Sequence, residues 1–231
     1  MCMNCSIGIG QLLQKVEGLI VRSQEEYVNQ LFTEDEELRS VRNSIAEAGM
    51  KDISVAPAYG RLLTLLVQAS GAREVLEIGA FGGYSGICLC RGLGSGGRLT
   101  SLELNEEFAA QASSRLTQAG FGGMFQFRTG LAADSLSQLK EEGRRFDFFF
   151  IDADKGNYPL YLEYALELAN PGALIAGDNC FLRGRTLDPE KNGPSVQAVR
   201  QFNERMASDP RLTSTMLPSY DGLVLARVNE T

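Results

Sequence analysis

The sequence contains no histidine among its 231 residues. That absence excludes Ser-His-Asp and Cys-His catalysis, zinc bound through imidazole, and any histidine general base. Acid–base chemistry in this chain must therefore use carboxylate, lysine, tyrosine or cysteine side chains.

The chain also lacks an excess of basic charge, with 22 lysine and arginine residues against 29 acidic ones and a net charge of −7. This balance disfavours a nucleic-acid-binding surface or an anionic membrane as partner, since both usually require a basic face. No apolar run approaches the roughly 18 to 20 residues of a membrane span. The start, MCMNCSIGIGQLL, has no basic segment and no clear cleavage site, so we expect no secretory signal.

Cysteine is sparse, at five residues, and Cys2 and Cys5 have the C-x-x-C spacing. A structural metal knuckle needs a second pair, which Cys88, Cys90 and Cys180 do not supply at suitable spacing. We therefore predict free thiols and a cytoplasmic location.

Hydrophobic periodicity predicts a helical region followed by a strand–helix alternation. Residues 1–70 are expected to be a helical N-terminal cap or dimerisation region, with a strong helix over Tyr59–Ala69, and residues 71–231 an α/β core within one domain. Strands are predicted at Glu74–Ile78, Leu99–Leu104, Met124–Phe127, Phe146–Ile151, Leu174–Ala176, Leu212–Leu217 and Leu223–Val228. Helices are predicted between most of them, at Ser85–Arg91, Glu106–Gln118, Asp134–Glu141, Tyr158–Leu168 and Ser195–Met206.

This alternation predicts a doubly wound, mostly parallel seven-stranded sheet covered on both faces. The last two strands are joined by a turn over 218–222, which predicts a hairpin and one antiparallel strand. In such a sheet, ligands bind beyond the carboxyl ends of the strands, near the switch in strand order. The residues that follow each strand are therefore the candidate site.

The first strand runs into a glycine-rich turn, IGAFGGYS, that starts a helix. A dinucleotide fingerprint counted from Gly79 would need glycine also at positions 81 and 84, where Phe81 and Tyr84 stand, so the pyrophosphate pattern fails. A ligand with an adenosine and a small zwitterionic end fits better; the alternative is a tight turn without a ligand. Glu103, at the end of the second strand, suits two ribose hydroxyls.

The fourth strand, FDFFFI, ends in Asp152 and is followed by Asp154 and Lys155; the fifth ends in Asp178 and Asn179. Carboxylate and amide oxygens without histidine or cysteine are ligands for a hard cation, Mg²⁺, Mn²⁺ or Ca²⁺. The alternative is that Asp178 and Asn179 merely begin a turn. Lys155 is either a solvated lysine or, beside a cation that disfavours its ammonium, a general base.

Together these motifs resemble the S-adenosylmethionine-dependent O-methyltransferases of the catechol and caffeoyl-CoA type, in their bacterial-like branch. The resemblance runs from about Glu25 to Val228 and includes VLEIGAFGGYS, SLELNEEFA, FFFIDADKGNY, the GDN at Asp178 and Asn179, and LPSYDGLVLAR. It implies a class I methyltransferase fold, S-adenosylmethionine, a divalent cation (Mg²⁺ above all), a small vicinal-dihydroxy aromatic acceptor and a homodimer.

The resemblance also implies roles for individual residues. Asp152 and Lys155 would be catalytic, with Lys155 as the base. Asp152, Asp178 and Asn179 would bind the metal. The cofactor would be contacted by Val55, Glu77, Gly79, Ala80, Ser85, Glu103, Ala132, Asp152 and Asp154.

The chain departs from the family in having no tryptophan, which family members often carry after the Asp-Asn pair, where Leu182 stands here. The following loop, Phe181–Ser195, contains Arg183, Arg185 and Lys191 and either meets an anionic acceptor such as a CoA thioester or is simply solvated. The rival functions are another transferase or oxidoreductase on this fold that needs no metal, and a cofactor-binding protein with a different or lost transferase activity.

Overall fold

The computed structural model describes residues 23–47 and 53–230, so Cys2, Cys5 and the remainder of the predicted N-terminal helices lie outside the described residues. The chain divides into a unit up to Thr33 and a unit from Glu34 onward. In the first unit, helix α1 (Gln24–Leu31) begins at a capping box. The Ser23 hydroxyl accepts from the Glu26 amide, and the Glu26 carboxylate accepts from the Ser23 amide, each at 3.1 Å, which satisfies two free amides of the first turn.

The larger unit alternates strands and helices around one sheet. Its strands are β1 (Glu74–Ile78), β2 (Arg98–Glu103), β3 (Phe125–Thr129), β4 (Phe146–Ile151), β5 (Ala169–Gly177), β6 (Leu212–Leu217) and β7 (Leu223–Val228). Its helices are α2 (Glu36–Glu47), α3 (Pro57–Ser70), α4 (Tyr84–Gly92), α5 (Glu106–Leu116), α6 (Ala132–Glu141), α7 (Tyr158–Leu168) and α8 (Pro194–Ser208).

The seven strands lie in the order β3-β2-β1-β4-β5-β7-β6. Strands β1 to β5 pair in parallel, and β7 runs antiparallel to both β5 and β6. The predicted doubly wound α/β fold with an antiparallel last strand is confirmed.

The central strand β4 shows why this sequence forms a covered sheet. Side chains alternate between the two faces of a strand, and here both faces are buried. Phe149 and Ile151 pack into the core on one side and Phe148 and Phe150 into the core on the other, all with no exposed area. A strand apolar on both faces needs helices on both sides of the sheet.

Two element boundaries differ from the predicted ones. Helix α5 ends at Leu116 rather than Gln118, because the chain widens into a π-type turn that contains Gly120 at a left-handed φ of 86°. Strand β5 begins at Ala169, five residues before the predicted start, because Ala169 pairs with Phe146 of β4 ahead of an irregularity in the register. That pairing depends on main-chain atoms, which hydrophobic periodicity does not report.

Two predictions from composition can be compared with the described residues. Cys88, Cys90 and Cys180 are free and buried. Neither stretch of the described chain, 23–47 or 53–230, contains a helix long and apolar enough to cross a membrane.

The strand order places the candidate residues at one edge. The chain leaves β1 toward β2 and β3 on one side, and β4 and β5 lie on the other side, so the switch in strand order falls between β1 and β4. Crevices at such switch points, outside the carboxyl ends of the strands, are the usual ligand sites of open α/β sheets.

Candidate active site

The glycine turn after β1 approaches β4 so closely that only glycine fits. Gly79 has a φ of 96°, and a Cβ atom built there would lie 2.2 Å from the main-chain oxygen of Asp152. The Gly79 amide donates to the carbonyl of Leu102 on β2, and the Asp152 amide donates to the carbonyl of Ile78, both at 2.9 Å. The ends of β1, β2 and β4 are therefore tied together through main-chain atoms.

Glu103, the last residue of β2, faces this turn. Its Oε2 accepts from the Ala80 amide at 3.2 Å and from the Phe81 amide at 2.8 Å, and its Oε1 accepts from the Asn105 amide at 3.0 Å. Backbone amides that converge on a carboxylate form a preorganised polar cradle. The predicted ribose-binding residue thus lies directly against the predicted cofactor turn.

Glu77 lies beneath the turn with no exposed area. Its carboxylate accepts from the hydroxyl of Ser85 at the start of α4, at 2.5 Å, and from that of Ser101, its register partner on β2, at 2.6 Å. Burial raises the pKa of Glu77 to about 7, against the lowering effect of the two hydroxyl donors. The negative charges of Glu103 and Asp152 are smaller contributions to the same rise in pKa.

On the other side of the switch, the Lys155 ammonium joins two elements. Lys155 Nζ donates to Asp152 Oδ1 and to the phenolic oxygen of Tyr158, both at 2.6 Å. The Tyr158 hydroxyl in turn donates toward the main-chain oxygens of Asp178, at 2.9 Å, and Ile151, at 3.2 Å. Burial raises the pKa of Tyr158 well above its usual value, so this phenol stays neutral.

Asp178 and Asn179 follow β5 beside Asp152. Asp178 is 4% exposed, and its amide donates to the carbonyl of Ile151 at 3.1 Å. Burial, and then the negative charge of Asp152, raise the pKa of Asp178 to about 7. Asn179 has a left-handed φ of 58°, a conformation that asparagine tolerates better than most residues.

The remaining predicted residues lie around the same edge. Asp154 is exposed, and its carboxylate accepts from the Tyr161 hydroxyl and, at 2.6 Å, from the side-chain amide of Asn157. Ala132 begins α6 after β3. Val55 precedes α3, is 3% exposed, and its carbonyl accepts from the Arg42 guanidinium at 3.0 Å.

Several residues of this edge were not predicted. Tyr158 contacts Lys155, and Ser101 contacts Glu77. Leu104, which follows Glu103, and Leu131, which precedes Ala132, are large apolar side chains with 67% and 60% exposure. An apolar residue directly after a strand-end carboxylate was the available signal for Leu104. Leu182, at the family's usual tryptophan position, is 3% exposed and packs into the core.

The donor set of the β4–β5 side suits a hard divalent cation. It consists of two carboxylates and one amide, oxygen donors of the kind that Mg²⁺ and Ca²⁺ prefer. Across 23–47 and 53–230, no three His, Cys, Asp or Glu side chains cluster as a metal site.

A sheet of this order, with β7 antiparallel and a glycine turn meeting acidic strand ends at the switch point, is the architecture of the class I methyltransferases. A sequence model of the O-methyltransferase family matches residues 26–229. The chain belongs to this family and is an O-methyltransferase enzyme.

Three relatives illustrate the similarity. A catechol O-methyltransferase of Niastella koreensis is 42% identical over 216 residues, which cover 90% of this chain and 98% of the relative. Caffeoyl-CoA O-methyltransferase 1 of Eucalyptus globulus is 32% identical over 84% of this chain and 82% of its own length. The crystal structure of an O-methyltransferase from Bacillus cereus in complex with SAH superposes with a TM-score of 0.83, with 44% identity, covering 89% of this chain and 96% of that one.

Proposed function

We propose that this enzyme transfers the methyl group of S-adenosylmethionine to a hydroxyl of a small vicinal-dihydroxy aromatic acceptor, with the help of a divalent cation. The observation that carries the proposal is the adjacency, at the β1–β4 switch point, of the glycine turn to Asp152, Lys155 and Asp178. The names of the relatives, catechol and caffeoyl-CoA O-methyltransferases, are consistent with such an acceptor.

The β1–β2 side fits the cofactor. S-adenosylmethionine supplies the methyl group from a sulfonium, and it combines an adenosine with a zwitterionic amino acid. The Glu103 carboxylate suits the ribose hydroxyls. The buried carboxyl of Glu77 supports the turn from beneath, because it accepts from the hydroxyl of Ser85 at the start of α4. The exposed side chains of Leu104 and Leu131 offer apolar area that a purine would cover.

The β4–β5 side fits the cation and the proton transfer. A divalent cation bound by Asp152, Asp178 and Asn179 would neutralise the two carboxylates and lower the pKa of an acceptor hydroxyl. Beside such a cation, Lys155 would act as a neutral amine and would accept the hydroxyl proton. Tyr158 keeps Lys155 Nζ beside Asp152, because the phenol is itself fixed by the main-chain oxygens of Asp178 and Ile151.

Catalysis then depends mainly on position. The residues of the two sides are held by the same strand ends, so the acceptor oxygen and the donor methyl are brought to attack distance by a rigid sheet edge. Such positioning can contribute on the order of 7 kcal/mol or more to lowering the barrier.

The decisive experiment is a screen of catechols, caffeoyl esters and flavonoids with labelled S-adenosylmethionine, with Mg²⁺ and with EDTA. We expect label transfer to a vicinal dihydroxy acceptor that stops with EDTA and returns with excess Mg²⁺. Transfer unaffected by EDTA would favour a metal-independent transferase. Donor binding without transfer to any acceptor would favour a cofactor-binding protein that has lost the activity.

A further inference from the structure

Arg200, on helix α8, holds the main chain of the loop that follows Asn179. Its guanidinium donates to the carbonyls of Thr186 at 2.9 Å, Arg185 at 3.3 Å and Asp188 at 2.5 Å, and to the side-chain oxygen of Asn192 at 2.9 Å. One side chain thus binds four oxygens spread over eight residues of the loop. All four acceptors are neutral, so the contacts set geometry rather than neutralise charge.

Two further side chains on the same face of α8 bind this loop. Gln197 Nε2 donates to the Asn192 carbonyl and Asn203 Nδ2 donates to the Cys180 carbonyl, both at 2.9 Å. Gln197, Arg200 and Asn203 are spaced by three residues, which places them on one side of the helix. Helix α8 therefore anchors the loop from residue 180 to residue 192.

The loop needs such anchoring, because its backbone is locally unfavourable. Asn179, Leu182 and Arg183 have φ values of 58°, 49° and 56°, in the left-handed region that is disfavoured for residues with a Cβ atom. Such conformations persist only where surrounding contacts determine them. At its other side the loop is held by Asp221, whose carboxylate accepts from the Arg183 amide at 2.5 Å.

The loop directly follows the candidate metal ligand Asn179. Its conformation therefore affects both the position of that ligand and the part of the site that the acceptor would occupy. We propose that Arg200 is a positioning residue that fixes the 180–192 loop in the conformation that binds the acceptor. This inference rests on the proposed function for the acceptor alone; the anchoring of the loop is independent of it. Arginine suits the role because its planar guanidinium carries five donors on three nitrogens, which can span these four acceptors, whereas the lysine ammonium has three donors on one nitrogen.

The test compares Arg200→Gln with the matched control Arg205→Gln. Arg205 lies on the same helix, and its ion pairs join it to the half-exposed Glu163 and to Asp209, both outside the loop. The rate of limited proteolysis by trypsin reports on the loop conformation, because the loop contains three exposed cleavage sites, Arg183, Arg185 and Lys191. Donor affinity and the acceptor kcat and KM are measured on the same proteins.

For Arg200→Gln we expect cleavage in the loop to accelerate about tenfold or more and the acceptor KM to rise about tenfold, with kcat changed less and donor affinity unchanged. Arg200→Lys should show intermediate cleavage and partial recovery of KM, and Arg205→Gln should match the parent. Parent-like cleavage of Arg200→Gln, or accelerated cleavage with an unchanged acceptor KM, overturns the proposal. If Arg200→Gln does not fold, parent-like cleavage and KM in Arg200→Lys overturn it.

Failure of the proposed function gives a different pattern. In that case no variant, the parent included, methylates a dihydroxy acceptor, while the cleavage difference between Arg200→Gln and Arg205→Gln persists.

Discussion

The two halves of the sheet edge hold negative charge in different ways. In the half formed by β1 and β2, which we call the cofactor-side rim, the Glu103 carboxylate meets three backbone amides and Glu77 meets two neutral hydroxyls. In the half formed by β4 and β5, the metal-side rim, Asp152 meets the ammonium of Lys155. The contact between Asp152 and Lys155 joins two side chains, and no backbone group takes part in it.

The difference indicates where each half is vulnerable. Backbone amides remain when side chains at the turn change, so Glu103 keeps its donors in most substitutions there. When Lys155 is replaced, the metal-side rim loses the side chain that contacts Asp152, and with it the proposed proton acceptor. We therefore expect the largest single-residue effects on the metal side, and on chemistry more than on donor binding.

The sharpest test of this contrast is Lys155→Met. General acid–base catalysis contributes typically about 10²- to 10⁴-fold, so we expect kcat to fall by that factor while donor affinity, measured by calorimetry, stays near the parent value. Lys140→Met is the matched control, because that lysine pairs with Glu167 on the surface. A kcat close to that of the parent would remove Lys155 from the proton transfer.

The next largest effect should be a pH dependence of stability caused by Glu77. Its pKa is raised to about 7 in the folded protein from 4.5, so the folded state favours the protonated carboxyl. The associated stability is fully present below about pH 4.5 and is lost as pH rises to about 7, a change of about 3 kcal/mol from a shift of this size.

Glu77→Gln should remove this pH dependence, since the amide can accept from one serine hydroxyl and donate to the other. The measurement is urea unfolding of parent and variant at several pH values from 4 to 8. Stability curves that stay parallel across that window would contradict the raised pKa. Glu106→Gln, at an exposed glutamate on α5, is the control for general effects of charge.

On the cofactor-side rim, Glu103→Gln tests whether the carboxylate matters for donor binding. A hydrogen bond to a charged group contributes about 1.5 to 3 kcal/mol, so the donor Kd should rise about 10- to 100-fold, with kcat at saturating donor close to the parent value. Isothermal titration with S-adenosylmethionine and steady-state kinetics measure the two. A large loss of kcat with unchanged Kd would reverse the assignment of the two rims.

The sequence alone could predict the residues that follow each strand, because strand ends are marked by where an apolar run stops. Asp152 after FDFFFI and Asp178 after the fifth run were found in this way, and parallel strands bring such ends to one edge. The glycine turn was found because a left-handed backbone restricts residue type. These signals lie within short stretches of the chain.

Contacts that depend on register or on helix placement could not be predicted. Ser101 meets Glu77 because the β1–β2 register pairs these two residues, and no local pattern encodes register. Arg200 contacts the loop 8 to 15 residues before it only because α8 packs beside that loop. Tyr158 stands at the start of α7 as an ordinary buried aromatic, and its hydroxyl partners come from the ends of β4 and β5.

Tyr158→Phe probes the metal-side rim with the smallest change, the loss of one oxygen. The variant removes the hydrogen bond to the Asp178 carbonyl. Among the described hydrogen bonds of Lys155 Nζ, the one to Asp152 then remains. We expect a loss of about 1 to 3 kcal/mol in stability, since a buried polar group loses its partner. Because Lys155 is less well fixed, we also expect kcat to fall about tenfold, less than in Lys155→Met.

Tyr164→Phe separates this effect from the removal of any tyrosine hydroxyl, because Tyr164 lies half-buried on the same helix with no comparable contact to the site. Thermal unfolding and kcat are measured for both variants, with donor affinity as the shared reference. If Tyr158→Phe lost stability without losing kcat, the phenol would serve only the packing of α7 against β4 and β5. Lys155 would then be held well enough by Asp152 alone, and the metal-side rim would be less dependent on its neighbours than the contrast between the two rims implies.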